Sequence, residues 1–188
     1  GHPENFQRLE DLKGKTILIS PAGFTVQWPW LKEKYGLDDR QRRPYNFSIQ
    51  PFIADKNLVQ QGYLSSEPYA IEKEAGFKPK AILLSDHGWP PYAMTIVCSA
   101  QTLQKRPKQV AAFVKASMEG WKSYLADPAP GNVLIKKDNP NMTDEQLAYS
   151  VAKLKEMGMV TGGDAASMGI GTMTDARAKA SYDFLVES

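Results

Sequence analysis

Apolar residues come in short bursts separated by Gly, Pro and Asp, and the period of each burst assigns an element. Thr16-Ile17-Leu18-Ile19-Ser20 is a β-branched apolar run suited to a parallel strand buried on both faces. Residues 9–15 before it read as a short helical turn stopped by Gly14. A loop over 21–25 leads into a helix reaching Tyr35, with Trp28, Leu31 and Tyr35 on one face and Gly36 as its stop. Pro29 fits that helix only in its first turn. A second strand follows over 43–48, then a helix over 51–61 with Phe52, Leu58 and Val59 inward. A third strand over 62–65, a short helix over 69–75 closed by Gly76, and a fourth strand over 80–85 complete this half. Strands alternating with helices predict an open, mostly parallel α/β sheet flanked by helices. Ligands of such sheets bind beyond the carboxyl ends of the strands, which places residues 20–25 and 65–69 at one rim.

The second half changes character. Asp86-His87-Gly88-Trp89-Pro90-Pro91-Tyr92 is rich in turn residues and aromatics, as a crossover between lobes would be. Residues 93–99 read as an apolar strand. A long helix over 107–125 carries Val110, Phe113, Val114, Met118, Trp121 and Leu125 at helical spacing, and Asp127-Pro128-Ala129-Pro130-Gly131 ends it. Thr143-Asp144-Glu145-Gln146 has the form of a capping box opening a helix with Leu147, Val151 and Leu154 on one side, stopped at Gly158. Residues 161–172 are a Gly-rich loop, and Thr174 caps a last helix. One strand cannot make a sheet. The strand over 93–99 either joins the first sheet or has partners outside this chain.

Composition narrows the classes. Hydrophobic residues at 42 % and charged residues at 23 % match a soluble globular protein. No apolar run approaches the roughly 18 residues of a membrane span, so no stable membrane insertion is expected. The start, Gly1-His2-Pro3-Glu4, has no basic-then-apolar leader pattern. The densest basic cluster, Arg40-Gln41-Arg42-Arg43, sits beside Asp38 and Asp39 in a chain of net charge +2, which fits a solvated loop and not a nucleic-acid surface. The single cysteine, Cys98, forms no internal disulfide and reads as a buried strand thiol. The histidines are His2 and His87 alone, and no metal-ligand spacing, nucleophile elbow or P-loop occurs. No catalytic residue, metal or cofactor is therefore assigned.

The candidate chemistry gathers at the rim. Tyr63-Leu64-Ser65-Ser66-Glu67-Pro68-Tyr69 presents two hydroxyls, a carboxylate and a ring on a turn that Pro68 stiffens. Ser65, Ser66 and Glu67 suit hydrogen bonds to an amine-bearing ring, and a surface Glu beside a structural proline is the plainer account. Tyr69 suits core packing as well as ligand contact. Ser20, Gly23, Phe24 and Thr25 form a small-residue loop into a helix start, whose N–H groups favour an anion or acceptor; an ordinary βα turn fits equally. Trp28 and Trp30 are two residues apart, so one is expected in the core, and Trp28 is assigned to the cleft border. Asp86, Trp89 and Tyr92 lie at the crossover, where an aromatic can stack on a planar ligand or pack across the junction.

These segments resemble a known family. Residues 9–16, 60–68, 90–92, 119–122, 127–138 and 169–177 are similar to the periplasmic substrate-binding proteins of ABC importers. The branch is the one handling thiamine-precursor pyrimidines, sulfonates, taurine and nitrate. The resemblance implies a type II, two-lobe periplasmic-binding-protein-like α/β fold, incomplete at both ends. Residues 7–86 would form the second lobe, 87–98 the hinge with a returning strand, and 99–188 the helical C-terminal part of the first lobe. It further implies capture of a small polar, planar or anionic solute between the lobes, with ABC permease subunits as partners. The location would be periplasmic or lipid-anchored outside the cytoplasm. The neighbouring pyrimidine synthases of the superfamily are enzymes with a cysteine cluster, and this chain carries only Cys98. An enzyme using His87 with Asp86 or Glu67 is the alternative.

Overall fold

The computed structural model describes residues 1–187. The chain divides into two compact units, Gly1–Pro90 together with the chain from Tyr182, and Pro91–Ser181.

The first unit is built around β1 (Thr16–Ile19), flanked by parallel partners β2 (Arg42–Pro44) and β3 (Leu58–Gln60) in the order β2-β1-β3. Ile17 stands opposite Arg42 on one side and Val59 on the other. Successive side chains of β1 leave opposite faces of the sheet. Ile17 and Ile19 enter a cluster with Phe6, Leu9, Leu12, Trp28, Leu31 and Val59, while Leu18 enters another with Tyr45, Ile49, Phe52, Leu58 and Ile71. The expected doubly buried strand is thus present. His2 is buried in the second half of this packing, stacked on Phe52 and Phe77 at ring separations of 4.4 and 4.7 Å.

The loop expected over 21–25 is helical. Ser20 caps α1 (Pro21–Thr25) by accepting the Gly23 N–H, Pro21 occupies the first position, and α2 (Gln27–Tyr35) follows after Val26. Pro29 lies in the first turn of α2, and Gly36 closes it at φ 63°. Trp28 and Trp30 are both buried, against the expectation that only one would be. The Trp28 indole N–H donates to Asp39 Oδ1 at 2.7 Å, which satisfies its one polar atom and lets the ring enter the core.

Other boundaries move for identifiable reasons. The second strand covers three residues, β2, and not 43–48. The helix expected over 51–61 is only α3 (Gln50–Ala54). Asp55 then accepts the Asn57 N–H with its side chain and the Leu58 N–H with its carbonyl, a turn that delivers Leu58 and Val59 to β3. The strand expected over 62–65 is therefore the turn after β3, leading to α4 (Glu67–Ala75) and Gly76. The fourth strand over 80–85 is absent. Lys80 exchanges two backbone hydrogen bonds with Gly1, and a 3-10 turn over Leu84–His87 begins inside the apolar run.

The second unit has no strand among its described residues. It contains α5 (Ala100–Lys105), α6 (Pro107–Ala126), α7 (Ala129–Asp138), α8 (Asp144–Glu156), α9 (Ala165–Met168) and the start of α10 (Asp175–Glu187). Thr143 caps α8 through the Gln146 N–H and Thr174 accepts the Arg177 N–H, as the sequence implies. Three elements were not expected, the first being α5, which Ser99 caps by accepting the Thr102 N–H. Asp127 ends α6 but accepts the Ala129 N–H and so opens α7, and α9 sits within the Gly-rich 161–172 segment. The strand over 93–99 is unpaired and exposed, and Cys98 is exposed rather than buried. Its apolar pattern suits a sheet, but this unit supplies no ladder. α6 carries no buried residue along its apolar face.

Two outcomes follow. A Cβ at Gly23 would stand 2.5 Å from Ile19 Cγ1, so Gly23→Ala will force α1 off β1 and lower stability by about 1–3 kcal/mol in urea unfolding. Asp39 is held below its ordinary value of 3.8 by hydrogen bonds from Lys32 first and Trp28 second. A depressed carboxylate stabilises the fold above its unfolded value and ceases to as pH falls through its folded value. Asp39→Asn should flatten the acid limb of the Tm–pH curve below about pH 4; an unchanged limb would remove this account.

Candidate functional site

Three parallel strands deliver their following residues to one rim. Gln61 N–H donates to Leu18 O at 2.8 Å and Tyr45 N–H to Ile19 O at 3.0 Å, so each ladder continues one step past its strand. Gln61 Oε1 then accepts the Ser20 N–H at 2.9 Å, tying the end of β3 to the end of β1. Tyr45 donates its hydroxyl to Glu67 Oε1 at 3.1 Å, tying the end of β2 to the start of α4. The Tyr63 N–H donates to Glu67 Oε2 at 2.8 Å. The Ser20 and Glu67 loops therefore share a rim, as the parallel topology requires.

Each expected residue has a definite place. Ser20 Oγ is the cap of α1, and Thr25 Oγ1 donates to Ala22 O at 3.0 Å. With only five residues, α1 builds little dipole, and its Gly23 N–H is already taken. Gly23 is buried against Ile19. Phe24 is half-buried beneath the Arg42 guanidinium, 4.7 Å from the ring centroid. Trp28, 2 % exposed, belongs to the core and not to a cleft border. Ser65 and Ser66 sit in the turn before α4, and Tyr69 on α4 lies under Lys73 Nζ. Asp86 is exposed on the 3-10 turn, whereas Trp89 packs on Trp30 and Phe184 at 5.3 and 5.2 Å. Tyr92 belongs to the second unit, where its hydroxyl accepts the Thr174 N–H at 3.2 Å and its ring lies 4.1 Å from the Arg177 guanidinium carbon.

Glu67 is thus a structural carboxylate as well as a rim group. Each oxygen has one internal partner, which leaves one acceptor direction on each for a donor arriving from outside. Tyr45 and Gln61 were not singled out from the sequence. The signal was available, because both immediately follow strands of a parallel sheet. Beside Tyr45 the Gln60 carboxamide is buried, and neither of its polar atoms makes a hydrogen bond of ordinary geometry. A cavity of about 170 Å³ lies below the turn, walled by Ile17, Leu31, Val59 and Ile82 and reached by Gln61 and Glu67. Among the described residues no cluster of His, Cys, Asp or Glu could hold a metal ion, and no helix is long and apolar enough to cross a membrane.

Burial pushes the Tyr45 phenol above its ordinary value of 10.0, and the Glu67 carboxylate raises it further. A group whose folded pKa is raised contributes stability below its unfolded value, and loses it as pH rises through the folded one. Glu67→Gln should lower the Tyr45 pKa, read by NMR of labelled tyrosine with Tyr45→Phe as the assignment. It should stay above 10.0, because burial is the larger cause. No change on Glu67→Gln would break the Tyr45–Glu67 link.

The family model described as NMT1/THI5 like matches residues 2–130, more than half of the 188. No curated protein matches the chain, and no solved structure does. The match spans the parallel sheet, the whole rim and α6. The chain belongs to the NMT1/THI5-like family, made up mainly of substrate-binding proteins.

Proposed function

We propose that this chain is the solute-binding component of an ABC import system. It captures a small polar solute, planar or anionic, and passes it to the permease outside the cytoplasm. The observation that carries the reading is the pre-organised rim. Glu67 and Ser20 are held in place by Tyr45, Tyr63 and Gln61 before any ligand arrives. Fixed polar groups lose little entropy on binding, so their hydrogen bonds appear in affinity.

The remaining acceptor capacity of Glu67 favours a ligand with amine or ring N–H donors, such as an aminopyrimidine. Sulfonates and nitrate offer acceptors only and would use the Ser20–Thr25 side of the rim. Phe24, Ser65, Ser66, Tyr69 and Asp86 complete the contact set on this unit, with Trp89 at its end. In the two-lobe arrangement that the family resemblance implies, residues 7–86 act as one lobe. Ligand bridging would then shift the population towards a closed form.

The test is calorimetric titration of the chain with aminopyrimidines, sulfonates, nitrate and flavins, alongside thermal melts. One class should bind saturably at one site. At a hundred times its Kd it should stabilise the fold by about 2.7 kcal/mol. Glu67→Gln should weaken an amine-bearing ligand about tenfold or more, within the range of a charge-assisted hydrogen bond. Absence of saturable binding in every class would overturn the reading. So would turnover of a pyrimidine precursor that His87→Ala abolishes.

A further inference from the structure

We propose that Phe47 is the stacking face of the rim, against which a planar ring donating to Glu67 lies flat. The proposal rests on the solute-binding reading and adds to it the residue that selects for planarity.

Phe47 has φ 64°, the one positive value at a non-glycine residue among those described. In that region the Cβ of an L-residue crowds its own backbone, so glycine or asparagine is the ordinary occupant. The turn around it is braced. Asn46 Oδ1 accepts the Ser48 N–H at 3.3 Å, and Ser48 Oγ accepts the Gln50 N–H at 3.4 Å where α3 begins. Burial of the ring could offset the strain, but Phe47 is 79 % exposed. The strained turn therefore presents the ring to solvent and does not pack it. Strain held in this way collects at ligand clamps.

A lone exposed aromatic means little by itself, and its position gives it meaning. The Phe47 ring lies against Tyr45, with centroids 5.4 Å apart and 50° between the planes. Tyr45 in turn gives its hydroxyl to Glu67 Oε1 at 3.1 Å. Phe47 and the carboxylate thus stand on either side of one tyrosine ring. The acceptor directions left on Glu67 fix one edge of a ligand ring, and a second, apolar face is needed to fix its plane.

The other aromatics of this unit are less free to supply that face. Phe24 lies under the Arg42 guanidinium, Tyr69 under Lys73 Nζ, and Trp89 against Trp30 and Phe184. Tyr63 is 53 % exposed at the same rim, but its backbone carries no such strain.

Calorimetric titration of the chain with 4-aminopyrimidine reads both steps. The unsubstituted chain should bind it saturably. Phe47→Ala and Phe47→Leu remove the ring face, and each should weaken binding by about fivefold or more. Phe47→Tyr keeps the face and should stay within about twofold of the unsubstituted chain. Phe47→Gly should lose affinity as well, yet raise the Tm of the ligand-free chain by about 2 °C, because glycine relaxes the turn. In NMR spectra the Phe47 ring protons, assigned with Phe47→Leu, should move upfield as 4-aminopyrimidine is added. Saturable binding that Phe47→Ala leaves intact, or that Tyr63→Ala alone abolishes, would overturn this proposal and leave the solute-binding reading standing. A lower Tm in Phe47→Gly would make the ring a prop of the fold and overturn it too. No binding of 4-aminopyrimidine removes the amine-bearing ring and the stacking together, and the sulfonates and nitrate then test the wider reading.

Discussion

Burial of β1 on both faces is the constraint on which the first unit depends. A ladder of three residue pairs on either side contributes little alone, because each backbone hydrogen bond nets only about 1 kcal/mol. The fold closes because Ile17 and Ile19 anchor one layer of side chains and Leu18 anchors the other. Those layers fix the depth of α1, α2 and α3, and so fix where each strand releases the chain. Ser20, Tyr45 and Gln61 reach one rim because β1, β2 and β3 run parallel and end at the same level.

The rim shows how polar groups are kept where a solute would meet them. A carboxylate at the start of α4 would be free to swing were it not closed on Tyr45 and the Tyr63 N–H. Gly62 makes that closure possible, since a Cβ there would come within 3.0 Å of Glu67 Cδ. The cost is that part of the acceptor capacity of Glu67 is spent within the protein. The gain is a carboxylate whose direction is already set, which is the condition for discriminating one donor pattern from another.

Much of this was legible in the residues. The β1 run, the glycine stops at 36 and 76, the Thr143 and Thr174 caps and the shared rim all follow from local chemistry plus one topological rule. What pattern cannot reveal is whether a partner exists. Residues 80–85 and 93–99 have strand composition, yet neither has a ladder, because pairing depends on an edge elsewhere in space. Leu58 and Val59 suit a helix face as well as a strand, and the turn at Asp55 decides between them. The same limit applies at the site. Trp28 looked like a cleft residue by its place near a loop, and only the Asp39 carboxylate, eleven residues on, explains why its indole is buried.

The turn that follows β3 serves the rim and the cavity together. It carries Gly62, Tyr63 and Glu67, and the same residues line the cavity beside Ile17, Val59 and Ile82. Gln60 lies beside Tyr45, which holds Glu67. The next residue, Gln61, fixes the Ser20 N–H with its side chain. One short stretch of backbone therefore sets the position of both polar groups at the rim, so a change that loosens residues 60–63 reaches Glu67 and Ser20 together.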